Sequence, residues 1–273
     1  MLSSLNTGLS GLQQYQGLLD TVGNNIANSG TVGYKAVRTT FEDNFSQQLE
    51  ESNYGSAGIQ LGTGVATAAT TSDFSQGGFQ TGIATDVAID GNGFFVVKNA
   101  TTGAEYATRA GNFHLDSSNY LVTETGERVQ GSTDGTAKGD LKLDPATDTT
   151  LTGYSIGPDG SITVKLSDGT SASRGQLLLQ NFRTPQALRK EGNNLYSGLT
   201  EAGPLGGADA AAGADVPGTK GLGSIKTGVL EASNVDLPTE FVNLITAQRG
   251  FQANSRVITT SDDILQEIVS LKR

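Results

Sequence analysis

The sequence predicts an α+β protein, with two terminal helices paired as an antiparallel coiled coil and a central all-β domain of sandwich or barrel-like type. Three observations predict it. Apolar residues recur at steps of three and four near both ends of the 273-residue chain. Between the ends the period changes to two, with short apolar runs. Gly-rich turns punctuate that middle at intervals of roughly ten residues. The expected organisation is a discontinuous helical domain from residues 1–33 and 233–273, an extended bridging segment over 34–82 and a β-rich domain over 83–232.

In the first helix, Leu2, Leu5, Leu9, Leu12 and Leu19 fall at helical steps, and Val22 and Ile26 extend the stripe after a phase change. The pattern predicts a helix over about residues 3–28. Asp20 is the only charged side chain between Met1 and Tyr34, so the polar face is built from Ser, Asn, Gln, Thr and Gly. Such a face suits helical neighbours better than bulk water. Gly8, Gly11, Gly17 and Gly23 weaken the helix in isolation, each by up to ~1 kcal/mol relative to Ala, so packing must stabilise it.

The last helix has Asp236 as its N-cap, with Pro238 in the first turn and Glu240 close behind. From there Phe241, Leu244, Gln248, Phe251, Ser255, Ile258, Asp262, Leu265 and Val269 step by three and four. A helix reaching residue 271 is ~50 Å long. The expected self-assembly seam is Leu2, Leu5, Leu9, Leu12, Leu19 and Ile26 with Phe241, Leu244, Phe251, Ile258, Leu265 and Val269. On periodicity alone, a two-helix hairpin closing one domain explains the same stripes equally well.

Strands are expected at Val87–Ile89, Phe94–Val97, Tyr106–Arg109, Phe113–Leu115, Leu121–Thr123 and Arg128–Val129, then at Ser155–Ile156, Ile162–Leu166 and Leu177–Phe182. Residues 46–82 and 202–223, rich in Gly, Ser, Thr and Ala, read as linkers.

Composition excludes much. Lys and Arg number 18 against 28 Asp and Glu, a net charge of −10, which disfavours nucleic acid and acidic membrane surfaces. There is no Cys and only one His, His114, so thiolate metal sites, Cys nucleophiles and a Ser-His-Asp triad lack their parts. His114 reads as a strand residue between Phe113 and Leu115. No cofactor is expected. Gly91-Asn92-Gly93 lacks the third Gly of a dinucleotide loop and runs on into strand. Asp86, Asp90 and Asp116 occupy turn positions, where Asp is favoured for its backbone hydrogen bonds. No run of ~18 apolar residues suggests membrane insertion, and the first residues show no cleavable signal pattern.

Three groups of residues together carry a resemblance. Leu2-Ser-Ser-Leu-Asn-Thr-Gly-Leu-Ser-Gly, Asp20-Thr-Val-Gly-Asn-Asn-Ile-Ala-Asn and Thr31-Val-Gly-Tyr-Lys form the first. Asp86-Val-Ala-Ile-Asp-Gly-Asn-Gly-Phe-Phe-Val and Thr108-Arg-Ala-Gly-Asn-Phe form the second. Gly228-Val-Leu-Glu-Ala-Ser-Asn-Val-Asp and Ala247-Gln-Arg-Gly-Phe-Gln-Ala-Asn-Ser form the third. In that order they resemble the signatures of bacterial flagellar rod and hook axial proteins.

The resemblance implies a structural subunit, not an enzyme, that polymerises with itself into a hollow tube. Paired terminal helices would form the inner layer, the β domain an outer one, and the segment after the first helix a bridge between subunits. It implies passage through the flagellar type III export apparatus without signal cleavage. The residues from Asn234 to Phe241, with Arg249-Gly-Phe-Gln and the run from Ile258, most resemble short hook proteins. The implied partners are then the distal rod protein, the hook cap protein during assembly and the hook-filament junction protein. A Gly-rich bridge favours the same choice, because a bending tube needs loosely held contacts. The absence of a further outer domain between about 131 and 175 also matches the distal rod protein, the alternative. Outside the family, a secreted β-rich enzyme or adhesin is the competing class.

Overall fold

The computed structural model describes residues 2–48, 60–133, 138–144, 151–206 and 213–271. Residues 49–59 of the bridging stretch, residues 207–212 of the Ala/Gly tract and the side chain of Leu2 lie outside the described residues. The chain divides into two compact units. One comprises Met1–Ser29, Ala36–Asp73 and Val235–Arg273, the other Gly30–Lys35 and Phe74–Asn234.

The first unit holds both long helices, α1 (Leu2–Ala27) and α2 (Leu237–Leu271). At the start of α2 the Asp236 carbonyl accepts the Glu240 N–H at 3.0 Å, and the Asp236 carboxylate receives the Thr239 hydroxyl. Strand Val37–Asp43 pairs antiparallel with Val65–Ser72, and Ser46–Gln48 pairs with Gln60–Gly62 further along the same hairpin. Asn25, buried in α1, docks the hairpin: its side-chain amide donates to the Val37 carbonyl at 2.9 Å and its oxygen accepts the Val37 N–H at 3.0 Å. The Asn25 amide thus acts as a strand edge, which satisfies its own buried polar atoms. It also donates to Glu240 Oε1 at 3.4 Å, while Glu240 Oε2 is buried without a partner. Burial raises the Glu240 carboxyl above its ordinary value, against the opposing pull of Asn25 and Arg38.

The second unit is β-rich. Its main antiparallel sheet runs, edge to edge, Leu151–Ile156, Ser161–Leu166, Ser171–Leu177, Arg128–Ser132, Phe94–Lys98, Glu105–Thr108, Leu195–Ser197 and Arg189–Gly192. Side chains alternate across a strand, and Phe94–Lys98 is buried on both faces. Phe95 and Val97 enter one core with Ile89, Phe113, Leu121 and Ile162. Phe94 and Val96 enter a second with Phe182, Leu188 and Tyr196. Edge-to-face ring pairs fix both, Phe95 on Phe113 at 5.1 Å and Phe94 on Phe182 at 5.5 Å.

Three distant segments of this unit meet at one carboxylate. Glu231, 0% exposed, accepts Lys35 Nζ at 2.7 Å, the Gly77 N–H at 3.0 Å and Arg109 Nη1 at 3.4 Å. Lys35, also 0% exposed, donates to the Ser75 carbonyl at 2.7 Å. The Arg109 guanidinium lies 5.0 Å above the Phe94 ring. Burial lowers its pKa, and Glu231 pulls it back up. The backbone repeats the closure, since the Gly33 N–H donates to the Glu231 carbonyl at 2.7 Å. Gly33 stands at φ +68, where a Cβ would meet the Ala110 nitrogen at 2.8 Å, so no other residue fits without strain.

Breaking a buried ion pair by removing one partner leaves an uncompensated charge. Glu231→Gln leaves two buried cations facing a neutral amide, and is expected to destabilise the β-rich unit by roughly 3–5 kcal/mol. Urea unfolding followed by far-ultraviolet circular dichroism measures this, and a loss below about 1 kcal/mol would contradict it. Glu240 gives a pH dependence. A carboxyl whose folded pKa is raised binds more protons in the folded state, so its stability contribution falls as pH rises through the carboxylate range. Glu240→Gln is therefore expected to unfold at a higher temperature than the parent at neutral pH, and at the same temperature at pH about 3.5, where both side chains are neutral.

Candidate assembly surface

The α1–α2 pairing is antiparallel, as three contacts show. A Cβ on Gly11 would meet the Asn254 amide at 2.8 Å, one on Gly250 would strike the Tyr15 ring, and Asn25 bonds Glu240. The buried centre of the pair is made of small or polar residues: Gly8, Gly11 and Asn25 on α1, Ala247 and Ser261 on α2, with Val22 as the large exception. Helices approach closely only where the side chains between them are short. Gly250 and Gly11 are the positions that set that approach here.

The large apolar residues flank this centre. On α1 the facing positions 8, 11 and 25 stand one residue before Leu9, Leu12 and Ile26 of the stripe, whereas Val22 belongs to the stripe and is buried in the pair. Leu5, Leu12, Leu19 and Ile26 are half-buried, and Leu9 is 50% exposed. On α2, Leu244, Ile258 and Leu265 are half-buried, whereas Phe241, Phe251 and Val269 are exposed. Val242, Ile245, Val257, Ile264 and Ile268 add to the exposed apolar surface. Gly17 and Gly23 have open space where a side chain would stand. The helical unit of a single chain thus presents much apolar surface that its own fold leaves uncovered, beyond what scattered surface residues need.

The hairpin after α1 lies along the same unit. Thr21 and Thr39 share a hydroxyl bond at 3.0 Å, the Val65 N–H donates to Ser10 Oγ at 3.3 Å, and Tyr15 and Phe41 rings stand 6.4 Å apart. Phe45, further along, is 89% exposed. Sequence periodicity did not reveal the small-residue centre. Its signal is the three-residue spacing of Gly8 and Gly11 on α1 and of Ala247 and Gly250 on α2, which helical stripes drawn through the largest residues pass over.

The candidate chemical residues are committed to local structure. Asp86 Oδ2 accepts the Ile83 N–H at 2.8 Å, Asp90 pairs with Lys226 at 2.8 Å, and Asp116 Oδ1 accepts the Ser117 N–H at 2.6 Å. His114 is exposed in the strand His114–Leu115. Among the described residues no group of three or more His, Cys, Asp or Glu gathers to hold a metal ion, and no helix is long and apolar enough to cross a membrane.

Three family models match parts of the chain. Residues 5–35 match the family model described as flagella basal body rod protein, residues 88–164 that of the flagellar hook protein FlgE/F/G D1 domain, and residues 226–271 that of the flagellar basal body rod FlgEFG protein C-terminal. The flagellar basal-body rod protein FlgG of Bacillus subtilis is 41% identical over 280 aligned residues, covering all of both chains. FlgG of Borreliella burgdorferi is 34% identical over 282, again covering all of both. The flagellar hook protein FlgE of Borreliella burgdorferi is 25% identical over 450 aligned positions, covering all of both chains. The chain belongs to the flagellar rod and hook family of axial structural proteins.

Proposed function

We propose that this chain is a subunit of the distal flagellar rod, polymerising through the apolar flanks of α1 and α2. The observation that carries the reading is end-to-end colinearity with relatives named as rod proteins: the alignment to the Bacillus subtilis rod protein needs 280 positions for a chain of 273 residues, whereas that to the hook protein needs 450. The residues that favoured the hook do not separate the two. Residues 226–271, which include the stretch after Asn234, match a model that names hook and rod proteins together.

The argument from a loosely held Gly-rich bridge also weakens. Gly64, Gly77 and Gly82 stand where a Cβ would collide with Ser10, Ala232 and Asp86 respectively, so they serve close packing. Gly55 and Gly58 lie outside the described residues. On this reading the partners are further copies of the same chain and the neighbouring rod and hook subunits, reached through the type III export route.

Basal bodies from cells deleted for this gene test the assignment by electron microscopy. A missing or shortened rod is expected, and an intact rod that lacks only its hook would transfer the assignment to the hook. A second experiment tests the surface. Leu9 is half-exposed in the single chain, so Leu9→Asp is expected to leave thermal unfolding of the monomer within about 0.5 kcal/mol of the parent while abolishing polymerisation. Ile258→Asp, whose side chain packs on Gly8, is expected to lower helix stability as well, because the new charge enters a partly desolvated contact. Polymers of Leu9→Asp sedimenting like the parent would remove α1 from the assembly surface.

A further inference from the structure

The β-rich unit holds a pocket of about 320 Å³ that the helical assembly surface does not use. Two tight turns contribute to its lining. Thr123 to Gly126 closes through the Gly126 N–H on the Thr123 carbonyl at 2.9 Å, and the Thr123 and Thr125 hydroxyls both donate to the Glu127 carboxylate. Gly192 to Leu195 turns through Asn193 and Asn194 at φ 51 and 57, a left-handed pair that suits a two-residue hairpin. Two further segments are fastened to that second turn. The Asn194 amide donates to the Val32 carbonyl at 2.6 Å, and the Thr108 hydroxyl donates to the Asn194 carbonyl at 3.0 Å. The pocket is therefore shaped before any ligand arrives, which lowers the cost of binding one.

Its lining divides by chemistry. Val32, Ala110 and Leu195 supply apolar surface, and Asn112, Asn193 and Glu124 supply polar groups. Asn112 is half-buried, whereas Asn193 and Glu124 are exposed. The Thr108, Thr123, Thr125 and Asn194 side chains are committed to the fold. Those of Asn112, Asn193 and Glu124 make no hydrogen bond among the described residues. A carboxamide both donates and accepts, while a carboxylate only accepts. Glu124 is the single charged residue of the lining, so an anion is repelled and a ligand must bring donors to it. The volume stands at the lower end of the roughly 300–1,000 Å³ of small-molecule sites, which suits a compact ligand.

We propose that this pocket binds one ring of an uncharged sugar, an aldopyranose that is either free or at the end of a glycan. A pyranose has an apolar C–H face and a rim of hydroxyls that both donate and accept, which complements this lining. Its C–H face lies on Val32, Ala110 and Leu195. Adjacent hydroxyls donate to the two oxygens of Glu124, and others exchange hydrogen bonds with the Asn112 and Asn193 carboxamides. A simple amine satisfies Glu124 alone and leaves both carboxamide N–H groups without an acceptor, so it gains less. The site belongs to the β-rich unit, and the proposal stands apart from the rod assignment.

Nitrogen-15 NMR of the full-length soluble chain tests it, by following the Asn112 and Asn193 carboxamide signals during titration. The probes are glucose, galactose and N-acetylglucosamine, each as free sugar and methyl glycoside, with glucuronate and ethanolamine as charged controls. At least one neutral sugar is expected to shift both signals with a Kd of about 1 mM. Asn112→Ala, Glu124→Gln and Asn193→Gly are each expected to weaken that binding about ten-fold, with urea unfolding unchanged. Asn193→Gly keeps the left-handed turn, so it still tests the site if another variant proves unstable. Binding of the methyl glycoside supports a glycan end as the source, and binding of the free sugar alone supports a free monosaccharide. No neutral sugar binding below about 50 mM overturns the proposal. So does a charged control that binds as tightly as the sugars, or a set of folded variants that bind like the parent.

Discussion

The β-rich unit depends on how one buried carboxylate is satisfied. Glu231 has no exposure, and a carboxylate taken out of water costs several kcal/mol unless hydrogen bonds and opposite charge replace its hydration. Lys35, Arg109 and the Gly77 N–H supply that replacement, and they arrive from parts of the chain far apart in sequence. Each charged member also belongs to a different signature group: Thr31 to Lys35, Thr108 to Phe113 and Gly228 to Asp236. What reads in sequence as three separate motifs is, in space, one knot. Lys35 directly precedes one passage of the chain into the helical unit and Asn234 precedes another. The Asn234 amide donates to Ser75 Oγ at 3.0 Å, so the segments that enter and leave the β-rich unit are fastened to one another inside it.

The helical unit solves a different problem. Its internal contact runs through glycine, alanine, serine and asparagine, which bury little apolar area but bring the two axes close. Leucine, isoleucine and phenylalanine, which release more free energy on burial, flank that contact and stay partly wet. A protein selected to be stable as a monomer would place them the other way round. The arrangement divides the helix surface between a narrow contact inside the chain and a broad apolar flank that the single chain leaves partly exposed.

Much of the architecture was legible from residue pattern. Both helices, the switch to short strands and the central run Phe94 to Val97 follow from periodicity alone, because burial on one or two faces leaves that signature directly. Strand Ser171–Leu177 did not show, since Ser-Ala-Ser-Arg-Gly-Gln has no apolar alternation and its pairing is set by Ser161–Leu166 beside it. The hairpin from Arg189 to Ser197 was also passed over, although Asn193 and Asn194, at φ 51 and 57, form the kind of turn that asparagine tolerates. Apart from Val22, the centre of the helix pair was missed by the stripe for a physical reason. Hydrophobic stripes locate the residues with most to gain from burial, and here most of those residues flank the pair's centre and stay partly exposed in the single chain. The convergence on Glu231 was beyond sequence reading, because nothing local ties residue 35 to residues 109 and 231.

The near absence of charge in α1 has an environmental consequence. Asp20 is the only charged side chain among its 26 residues. Salt acts on exposed ion pairs by screening, over about 10 Å at 0.1 M, and has almost no ion pair to act on here. Contacts made by dispersion, burial and neutral hydrogen bonds are nearly indifferent to dilution of the medium, and excluded salts such as sulfate even strengthen them. A surface built on α1 therefore holds with much the same grip in fresh water as in brine.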